Sequence, residues 1–335
     1  MLQTSLIPTG HADLVTHAVY DFYGEKLATC SADHKIKIFS KLPDGTWELE
    51  TEWKAHDAPI LHLSFAHPIH GVLLASCSHD RTVRIWEEQL APAGSGAPPK
   101  WVERGILSGA KGSVRCVEFA PPNPAYGLRV ASISTDSHLR VHTSLDPDLN
   151  DWSLAHDVHV PSLASEDVPE TQGATPAEAA TGGWALSWCK EKWWGSVIAV
   201  FAGNSPVARI IQLDETPTAL LNLRPPGVSP LTAIAWAPSC GRSYHLVATG
   251  VRDGTVRIWR AEPPSDDDDG AKSWSAETVA EFPKGARVGM VEWNATGTTL
   301  TTSDDEGVIR IYKPTYAKNW KLLGKMTAEE PLAEE

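Results

Sequence analysis

The sequence predicts an all-β fold, a β-propeller of six blades, and three observations indicate it. A stretch at residues 56–86 contains three short apolar runs, and variants of this stretch recur along the chain. Two of the runs are rich in β-branched or aromatic residues, and all three are bounded by Gly, Pro, Asp or His and are too short for helices, which indicates strands. The 25 glycines and 25 prolines are typical of many turns and few long helices. Four-stranded units of this kind, arranged radially, form a propeller.

The repeated stretch carries the signature of a WD repeat. His56 precedes the first run, Asp80 lies in the turn after the second, and Trp86 ends the third. The Asp80 carboxylate is expected to accept hydrogen bonds from His56 and from a nearby serine, which ties the strands of one blade together. Because the pattern recurs, we interpret it as a structural tetrad and not as a catalytic triad. The residues assigned to such tetrads are His11, Asp33, His56, Asp80, Trp86, Asp136, Asp253, Trp259 and Asp305.

Six copies follow one another in a single domain that spans the whole 335-residue chain. The third strand ends in Phe39 in the first blade, in His142 in the third and in Tyr312 in the sixth. The fourth blade is degenerate, with Asn204 and Ser205 where the Asp belongs. The blades are predicted at about residues 10–54, 55–105, 106–155, 184–224, 228–283 and 285–324. At ~40 to 45 residues per blade the chain has room for seven, so the surplus is assigned to loops.

Three segments are predicted to be loops. Residues 87–100 and 263–273 lie between the third and fourth strands of blades two and five, and the latter contains the acidic run at residues 266–269. We interpret this run as a solvated loop, although it also suits a cation or a basic partner. Residues 161–183 are rich in Ala, Glu, Thr, Pro and Gly and are predicted to be disordered.

The N-terminal run is the candidate partner-binding segment. Each of the six blades finds four strands in contiguous sequence, so no strand from the far terminus is left to latch the ring. The residues assigned to partner binding are Leu2, Gln3, Thr4, Ser5, Leu6 and Ile7. The hypothesis is that the ring is open between blades one and six and that a protein partner inserts strands there, with residues 2–7 joining the composite blade by β-augmentation. The alternative is that residues 2–7 pack on blade six and that the ring closes alone.

The charge balance indicates protein partners. The formal net charge of −13 opposes sequence-independent binding to nucleic acid or anionic lipid. No stretch resembles a signal peptide or approaches the ~20 apolar residues of a membrane span, so a soluble, non-secreted protein is expected. The five scattered cysteines lack the C-x-x-C spacing of a zinc or redox site.

An enzyme is the rival class. The sequence contains no P-loop, no G-x-S-x-G elbow and no H-E-x-x-H motif. The densest histidine group is His62, His67, His70 and His79, but strand alternation scatters these side chains over different faces and loops. No catalytic residue, cofactor or metal site is therefore predicted. A peptide-reading propeller is a further alternative, for which the tryptophan pair at residues 193–194 is the conspicuous candidate.

Several segments are similar to one known family. Asp13-Leu-Val-Thr-His17 and Leu27-Ala-Thr-Cys-Ser31 resemble the first blade of the Seh and Sec-thirteen-type WD proteins. Later segments are more similar to the Seh nucleoporins than to their coat-protein cousins: Arg81-Thr82, Gly241-Arg-Ser-Tyr-His245 and Tyr316-Ala-Lys-Asn-Trp320. The likeness covers nearly the whole chain, and the insert and the acidic run are its departures.

The resemblance implies a scaffold subunit of the Y-shaped outer-ring complex, the Y-complex, of the nuclear pore. In this family an open six-bladed propeller is completed by three strands from the N-terminal region of an α-helical nucleoporin. Members also serve in the SEA or GATOR complex, which regulates nutrient signalling at the vacuole or lysosome, with a different helical partner. The implied locations are the nuclear pore at the nuclear envelope and the periphery of the vacuole or lysosome membrane. A scaffold propeller of a COPII-type vesicle coat is the alternative.

Overall fold

The structure is a computed structural model that describes residues 7–90, 99–146, 148–163, 182–191, 196–264, 273–283, 285–316 and 319–327. These residues form 24 strands in six antiparallel sheets of four, and each sheet contains four strands consecutive in the chain. Two 3₁₀ turns, Pro68–His70 and Val160–Ser162, lie outside the strands. The prediction of an all-β WD-repeat propeller with six blades is confirmed.

Two compact units divide the chain, unit 1 at residues 1–158 and unit 2 at residues 159–335. Unit 1 contains blades 1 to 3: β1 (Val15–Tyr20), β2 (Lys26–Ser31), β3 (Lys35–Lys41), β4 (Trp47–Lys54), β5 (Ile60–Phe65), β6 (Leu73–Ser78), β7 (Val83–Gln89), β8 (Lys100–Leu107), β9 (Val114–Phe119), β10 (Leu128–Ser134), β11 (His138–Ser144) and β12 (Ser153–His159), whose last residue falls in unit 2. Unit 2 contains blades 4 to 6: β13 (Gly183–Trp188), β14 (Val197–Gly203), β15 (Ala208–Gln212), β16 (Thr218–Leu223), β17 (Leu231–Trp236), β18 (His245–Val251), β19 (Val256–Glu262), β20 (Ser275–Phe282), β21 (Val288–Trp293), β22 (Leu300–Asp304), β23 (Val308–Pro314) and β24 (Trp320–Thr327).

The second strand of a blade is its most buried element. All residues of β6, β14 and β18 are buried, so these strands are covered on both faces. Their sequences, LLASCS, VIAVFAG and HLVATGV, are nearly continuous runs of apolar and small residues, as expected of a strand with no solvent-facing side. The fourth strands are the least buried, and nearly all of their residues are partly or fully exposed.

The blades share one register. A β-bulge interrupts the first strand in blades 1, 2, 3, 5 and 6 at the same place, for example between Val15 and His17 and between Ile60 and His62. A second bulge lies in the fourth strand, for example at Glu50, opposite the step from Ile38 to Phe39. Bulges increase the local twist of a strand and fix its pairing. Equivalent positions can therefore be compared from blade to blade.

Within each unit, neighbouring blades pack face to face. Ile36 and Ile38 of β3 form one buried cluster with Ile60 and Leu63 of β5 in the next blade. The corresponding cluster in unit 2 includes Ile258 of β19 together with Val288 and Val291 of blade 6. Burying one aliphatic side chain of this size contributes about 1.5 to 3 kcal/mol, so contacts between blades are a principal source of stability.

The predicted third and fourth strands of blade 2 were too short. The third and fourth strands of blade 2 extend into the predicted loop 87–100, with Glu87 opposite Val102 and Gln89 opposite Lys100. This hairpin is extended by backbone hydrogen bonds between polar, outward-facing residues, which the apolar pattern does not reveal. Residues 91–98 lie outside the described part of the chain, as do 265–272 with the acidic run and most of the 161–183 insert.

A glycine at one turn admits no side chain. Gly254 has φ +82°, and a Cβ there would lie 2.3 Å from backbone atoms of Gly285. We expect Gly254→Ala to lower the free energy of unfolding by about 3 kcal/mol or more, because left-handed strain and a backbone clash add. Gly24, with φ +70° and no atom within 4 Å of its would-be Cβ, is the matched control. Gly24→Ala should cost only about 1 kcal/mol in urea unfolding, and equal losses in the two variants would contradict the clash.

Candidate partner-binding site

The polar tetrad of blade 2 is complete. His56 Nδ1 lies 2.7 Å from an Asp80 oxygen, and His56 Nε2 lies 2.8 Å from Ser76 Oγ, which also accepts a 2.9 Å bond from Trp86 Nε1. Thr82 donates to Asp80 through its amide and its hydroxyl. Burial alone would raise the pKa of Asp80, but the hydrogen bonds from His56 and Thr82 lower it below its usual range. The network joins β6, β7, the turn between them and the segment that precedes β5.

Blades 1 and 5 carry shorter versions of this network. His11 lies 2.9 Å from Asp33 and 3.0 Å from the hydroxyl of Thr29. In blade 5, Trp259 donates a 2.8 Å bond to Thr249, and Asp253 accepts a 3.1 Å bond from the Thr255 amide. Threonine of the second strand thus replaces serine in both blades.

In blade 3 an arginine takes the place of the histidine. Arg140 donates to the Asp136 carboxylate over 2.8 Å, and the Ser134 hydroxyl also bonds to Asp136. The Lys111 amide adds a 2.9 Å bond. Burial would raise the pKa of Asp136, but Arg140 and Ser134 lower it to about 2. A permanent charge pair therefore does here what His56 and Asp80 do in blade 2.

The assignment of Asp305 to a tetrad was wrong. Asp304 ends β22, accepts hydrogen bonds from the Glu306 and Val308 amides at 3.1 and 2.9 Å, and pairs with Arg310. Asp305 is exposed, and its nearest basic group, that of Arg287, is 3.8 Å away. In the strand register Asp304 occupies the last position of the second strand, which is a serine in blades 1 to 3. Spacing along the sequence cannot detect this shift.

A basic residue in the middle of every third strand was missed. The six residues are Lys37, Arg84, Arg140, Arg209, Arg257 and Arg310. Lys37, Arg84 and Arg257 pair with glutamates of the fourth strand at 2.9 to 3.1 Å, and Arg140 and Arg310 pair with carboxylates of their own turns. Arg209 instead donates to backbone carbonyls, including that of Leu163 at 2.6 Å. The signal, a cation between two apolar residues, was present in all six copies.

The two residues that flank this cation show where the site lies. In blades 1 to 5 both are buried: Ile36 and Ile38, Val83 and Ile85, Leu139 and Val141, Ala208 and Ile210, Val256 and Ile258. In blade 6 the equivalent residues, Ile309 and Ile311, are both partly exposed. Within unit 2, one face of blade 6 is therefore not covered by another blade among the described residues.

The uncovered face of blade 6 is mainly apolar and continuous. Cross-strand pairing places Ser303 opposite Ile309 and Thr301 opposite Ile311, so these four side chains share one face. Met290 lies opposite Ser303, and Met326 lies opposite Ile309, which extends the face over all four strands. The opposite face carries Val291, Leu300 and Tyr312, which pack on blade 5. The polar groups of this face are the hydroxyls of Thr301 and Ser303 and the exposed Glu292, which lies opposite Thr301.

The first strand of blade 1 is exposed at the positions where the first strands of blades 2, 3, 5 and 6 are buried. In blades 2, 3, 5 and 6 the first strand buries two residues against the preceding blade or turn, for example Ile60 and Leu63 in β5. The equivalents in β1 are Val15, which is 37% exposed, and Ala18, which is also exposed. β1 is the one first strand among the described residues without a buried side chain.

The predicted partner-binding segment is almost wholly outside the described residues. Residues 2–6 belong to that part, and Ile7 is described, half-buried and not in a strand. The tryptophan pair at residues 193–194 also lies outside the described residues. Among the described residues, no group of three His, Cys, Asp or Glu side chains is placed to hold a metal ion. A search of the same residues for a helix with the length and apolar character of a membrane span gave no candidate.

Comparison with known proteins gives consistent matches. A family model described as "WD domain, G-beta repeat" matches residues 3–40, 47–87 and 224–260, which include the signature turns of blades 1, 2 and 5. Nucleoporin SEH1 of Saccharomyces cerevisiae is 32% identical, over 96% of this chain and 99% of its own length. Nucleoporin seh1 of Schizosaccharomyces pombe is 32% identical over 98% of both chains. Nucleoporin SEH1 of Homo sapiens is 31% identical, over 95% of this chain and 86% of its own.

The roles of Asp304 and Asp305 can be separated by mutation. We expect Asp304→Ala to lower the free energy of unfolding by about 2 to 3 kcal/mol, because Arg310 and two backbone amides lose their acceptor. Asp305→Ala is the matched control and should change stability by less than about 0.5 kcal/mol. Chemical denaturation of the two variants is the measurement. A larger loss for Asp305→Ala would restore the sequence-based assignment.

The histidine of blade 3 predicts a pH dependence. Burial, with Arg140 nearby, lowers the pKa of His142 to about 4, while Asp157 acts in the opposite direction. Since the unfolded chain binds this proton near pH 6.5, stability is full above pH 6.5 and falls as the pH is lowered toward 4, by up to about 3 kcal/mol for this residue. His142→Phe, which copies Phe39 of blade 1, should flatten the decline in urea unfolding at pH 7 and 4.5. An unchanged pH slope would contradict this assignment.

Proposed function

The chain belongs to the SEH1 family of WD-repeat nucleoporins, and on this premise we propose that it is a structural scaffold subunit of the outer ring, or Y-complex, of the nuclear pore. Three curated relatives from two yeasts and a mammal carry the nucleoporin name and align over nearly all of this chain. This naming favours the nuclear pore over a vesicle coat. The proposed role is binding and not catalysis, since the polar networks of the blades are occupied in holding strands together.

The proposed mode of assembly is completion of an open propeller by a protein partner. The observation that carries it is the face of blade 6 where Ile309 and Ile311 are partly exposed although their equivalents in the other five blades are buried. Exposed apolar faces of this kind are typical of protein interfaces. Val15 and Ala18 of β1 lack cover in the same way. Both vacant faces have the geometry that accepts another blade.

The proposed partner is a helical nucleoporin that contributes strands as an additional blade. Its inward-facing residues would be apolar, to cover Ile309, Ile311 and Met290, and small or apolar opposite Ala18. Residues 2–7 would add a strand to this blade by β-augmentation. Because main-chain bonds and apolar contacts impose few sequence requirements, a second helical partner could use the same faces. This supports a further role in the SEA or GATOR complex at the vacuole or lysosome periphery.

Substitution of the blade 6 face tests the assembly mode. The tagged chain is purified from native extract, and its helical partner is identified by mass spectrometry. We expect Ile309→Asp with Ile311→Asp to remove this partner, because buried unpaired charges oppose the contact. The free energy of unfolding of the isolated chain should change by less than about 1 kcal/mol, since these positions are already solvated. Val228→Asp, at a 90% exposed position, is the control that should retain the partner.

Two outcomes would decide against this assembly mode. Full recovery of the helical partner by the Ile309→Asp, Ile311→Asp variant would show that the blade 6 face is not used. A loss of several kcal/mol in the isolated variant would show that the face is already covered by the chain itself. Deletion of residues 1–8 should weaken partner recovery while leaving the β signal in circular dichroism unchanged, if those residues join the added blade.

A further inference from the structure

A second apolar surface lies on unit 1, on loops that the proposed assembly does not use. The loop between β1 and β2 carries Phe22 and Tyr23, which are 63% and 67% exposed. The loop between β5 and β6 carries Ile69, which is 71% exposed. The Phe22 and Tyr23 rings meet edge to face with centroids 5.2 Å apart, and Phe22 contacts the ring of His67 at 4.9 Å. We call Phe22, Tyr23, His67 and Ile69 the aromatic patch.

The loops that display the patch are held in place. Asp21 accepts hydrogen bonds from the amides of Glu25 and Lys26 at 2.8 and 3.0 Å, which closes the first loop. In the second loop His67 accepts a 3.3 Å bond from the Ile69 amide at the start of the 3₁₀ turn. Aromatic side chains on fixed loops lose little conformational entropy on binding. Three exposed side chains and the partly exposed His67 on such loops form a suitable anchor surface.

The surroundings of the patch are acidic. Lys26, at the start of β2, pairs with both Glu50 and Glu88. Glu25 precedes Lys26 and is exposed. Ser40 of β3 lies opposite Lys26, and Glu48 of β4 lies opposite Ser40 and is exposed. The carboxylates of the first loop and of the strand positions around Lys26 are Asp21, Glu25, Glu48, Glu50 and Glu88, and the ammonium groups there are those of Lys26 and Lys41. Of these carboxylates, Glu50 and Glu88 are largely buried in their pairs with Lys26. The Lys26 ammonium is taken up by its two glutamates, so the local field is negative.

We propose that the aromatic patch docks a basic segment of a partner protein, with apolar side chains on the patch and Lys or Arg side chains on the carboxylate rim. Charge complementarity selects this occupant. A second copy of the chain would bring the same acidic rim against itself and would add the repulsion of two chains of net charge −13. An anionic lipid surface is repelled by the same carboxylates.

A pair of synthetic peptides tests the proposal. The probe is an 18-residue fluorescein-labelled peptide of Leu and Lys, with Leu at i, i+3, i+4 and i+7, and its counterpart carries Glu in place of Lys. The full chain is titrated by fluorescence anisotropy. We expect saturable binding of the Leu/Lys peptide and at least about tenfold weaker binding to the variant Phe22→Ser, Tyr23→Ser, Ile69→Ser. Glu25→Lys with Glu48→Lys should weaken binding and reduce its dependence on salt.

Matched controls separate this surface from general hydrophobicity and from the blade 6 face. Leu145→Ser with Val228→Ser removes two residues that are 81% and 90% exposed elsewhere, and this variant should bind the Leu/Lys peptide as the original chain does. Ile309→Asp with Ile311→Asp should also bind it unchanged, so loss of the helical partner and loss of the peptide are distinguishable. Circular dichroism melting checks that each variant is folded, which is expected because every changed side chain is at least partly exposed.

Three results would overturn the proposal. Equal affinity of the aromatic-patch variant and the Leu145→Ser, Val228→Ser control would show that the patch is not the binding site. Equal binding of the Leu/Glu and Leu/Lys peptides would remove the role of charge. A dimer in size-exclusion chromatography with light scattering that becomes a monomer in the Phe22→Ser, Tyr23→Ser, Ile69→Ser variant would identify a second copy as the occupant.

Discussion

A four-stranded blade has two apolar faces and can bury neither of them alone. In unit 1, Ile36 and Ile38 are buried because β5 of the next blade lies against them, and in unit 2 Ile258 is buried against blade 6. Stability in such repeats comes largely from contacts between nearest neighbours, so a terminal repeat needs a cap. Blade 6 differs from the other blades in that Ile309 and Ile311 are partly in contact with solvent. In the proposed assembly, covering this face and binding the partner are the same event.

The polar networks perform one task with several sets of atoms. Blade 2 uses His56 and Asp80, blade 3 uses Arg140 and Asp136, and blade 6 uses Asp304 with Arg310. Each set ties the second strand to the turn and the third strand, because a carboxylate with several donors is strongly held. The WD family model matches segments that cover the signatures of blades 1, 2 and 5. These blades retain an Asp turn with His or Trp partners. The replacement of those partners in other blades explains why the model matches some blades and not others. Side chains bound in this way are not free to act on a substrate.

Two kinds of apolar surface coexist on the same scaffold. The blade 6 face is a sheet surface on which Ile309 and Ile311 are partly exposed. The aromatic patch is different, since Phe22, Tyr23 and Ile69 lie on loops that no neighbouring blade would cover. The first surface is suited to a permanent subunit contact. The second, with an acidic rim that responds to salt, is suited to a reversible one.

The sequence alone determined the strands, their sixfold repetition and the His56–Asp80 pair of blade 2, because strand alternation and turn residues are properties of a few consecutive positions. It assigned a serine hydroxyl to Asp80, whereas the structure has the Thr82 hydroxyl there and Ser76 on His56. It did not determine that Asp304 and not Asp305 binds Arg310, since that depends on the register of β22 against its neighbours. Nor could it show which apolar residues remain exposed. Val256-Arg257-Ile258 and Ile309-Arg310-Ile311 are nearly the same triplet, yet one is buried and the other is not. Only the tertiary structure distinguishes them, because burial depends on whether another blade lies alongside.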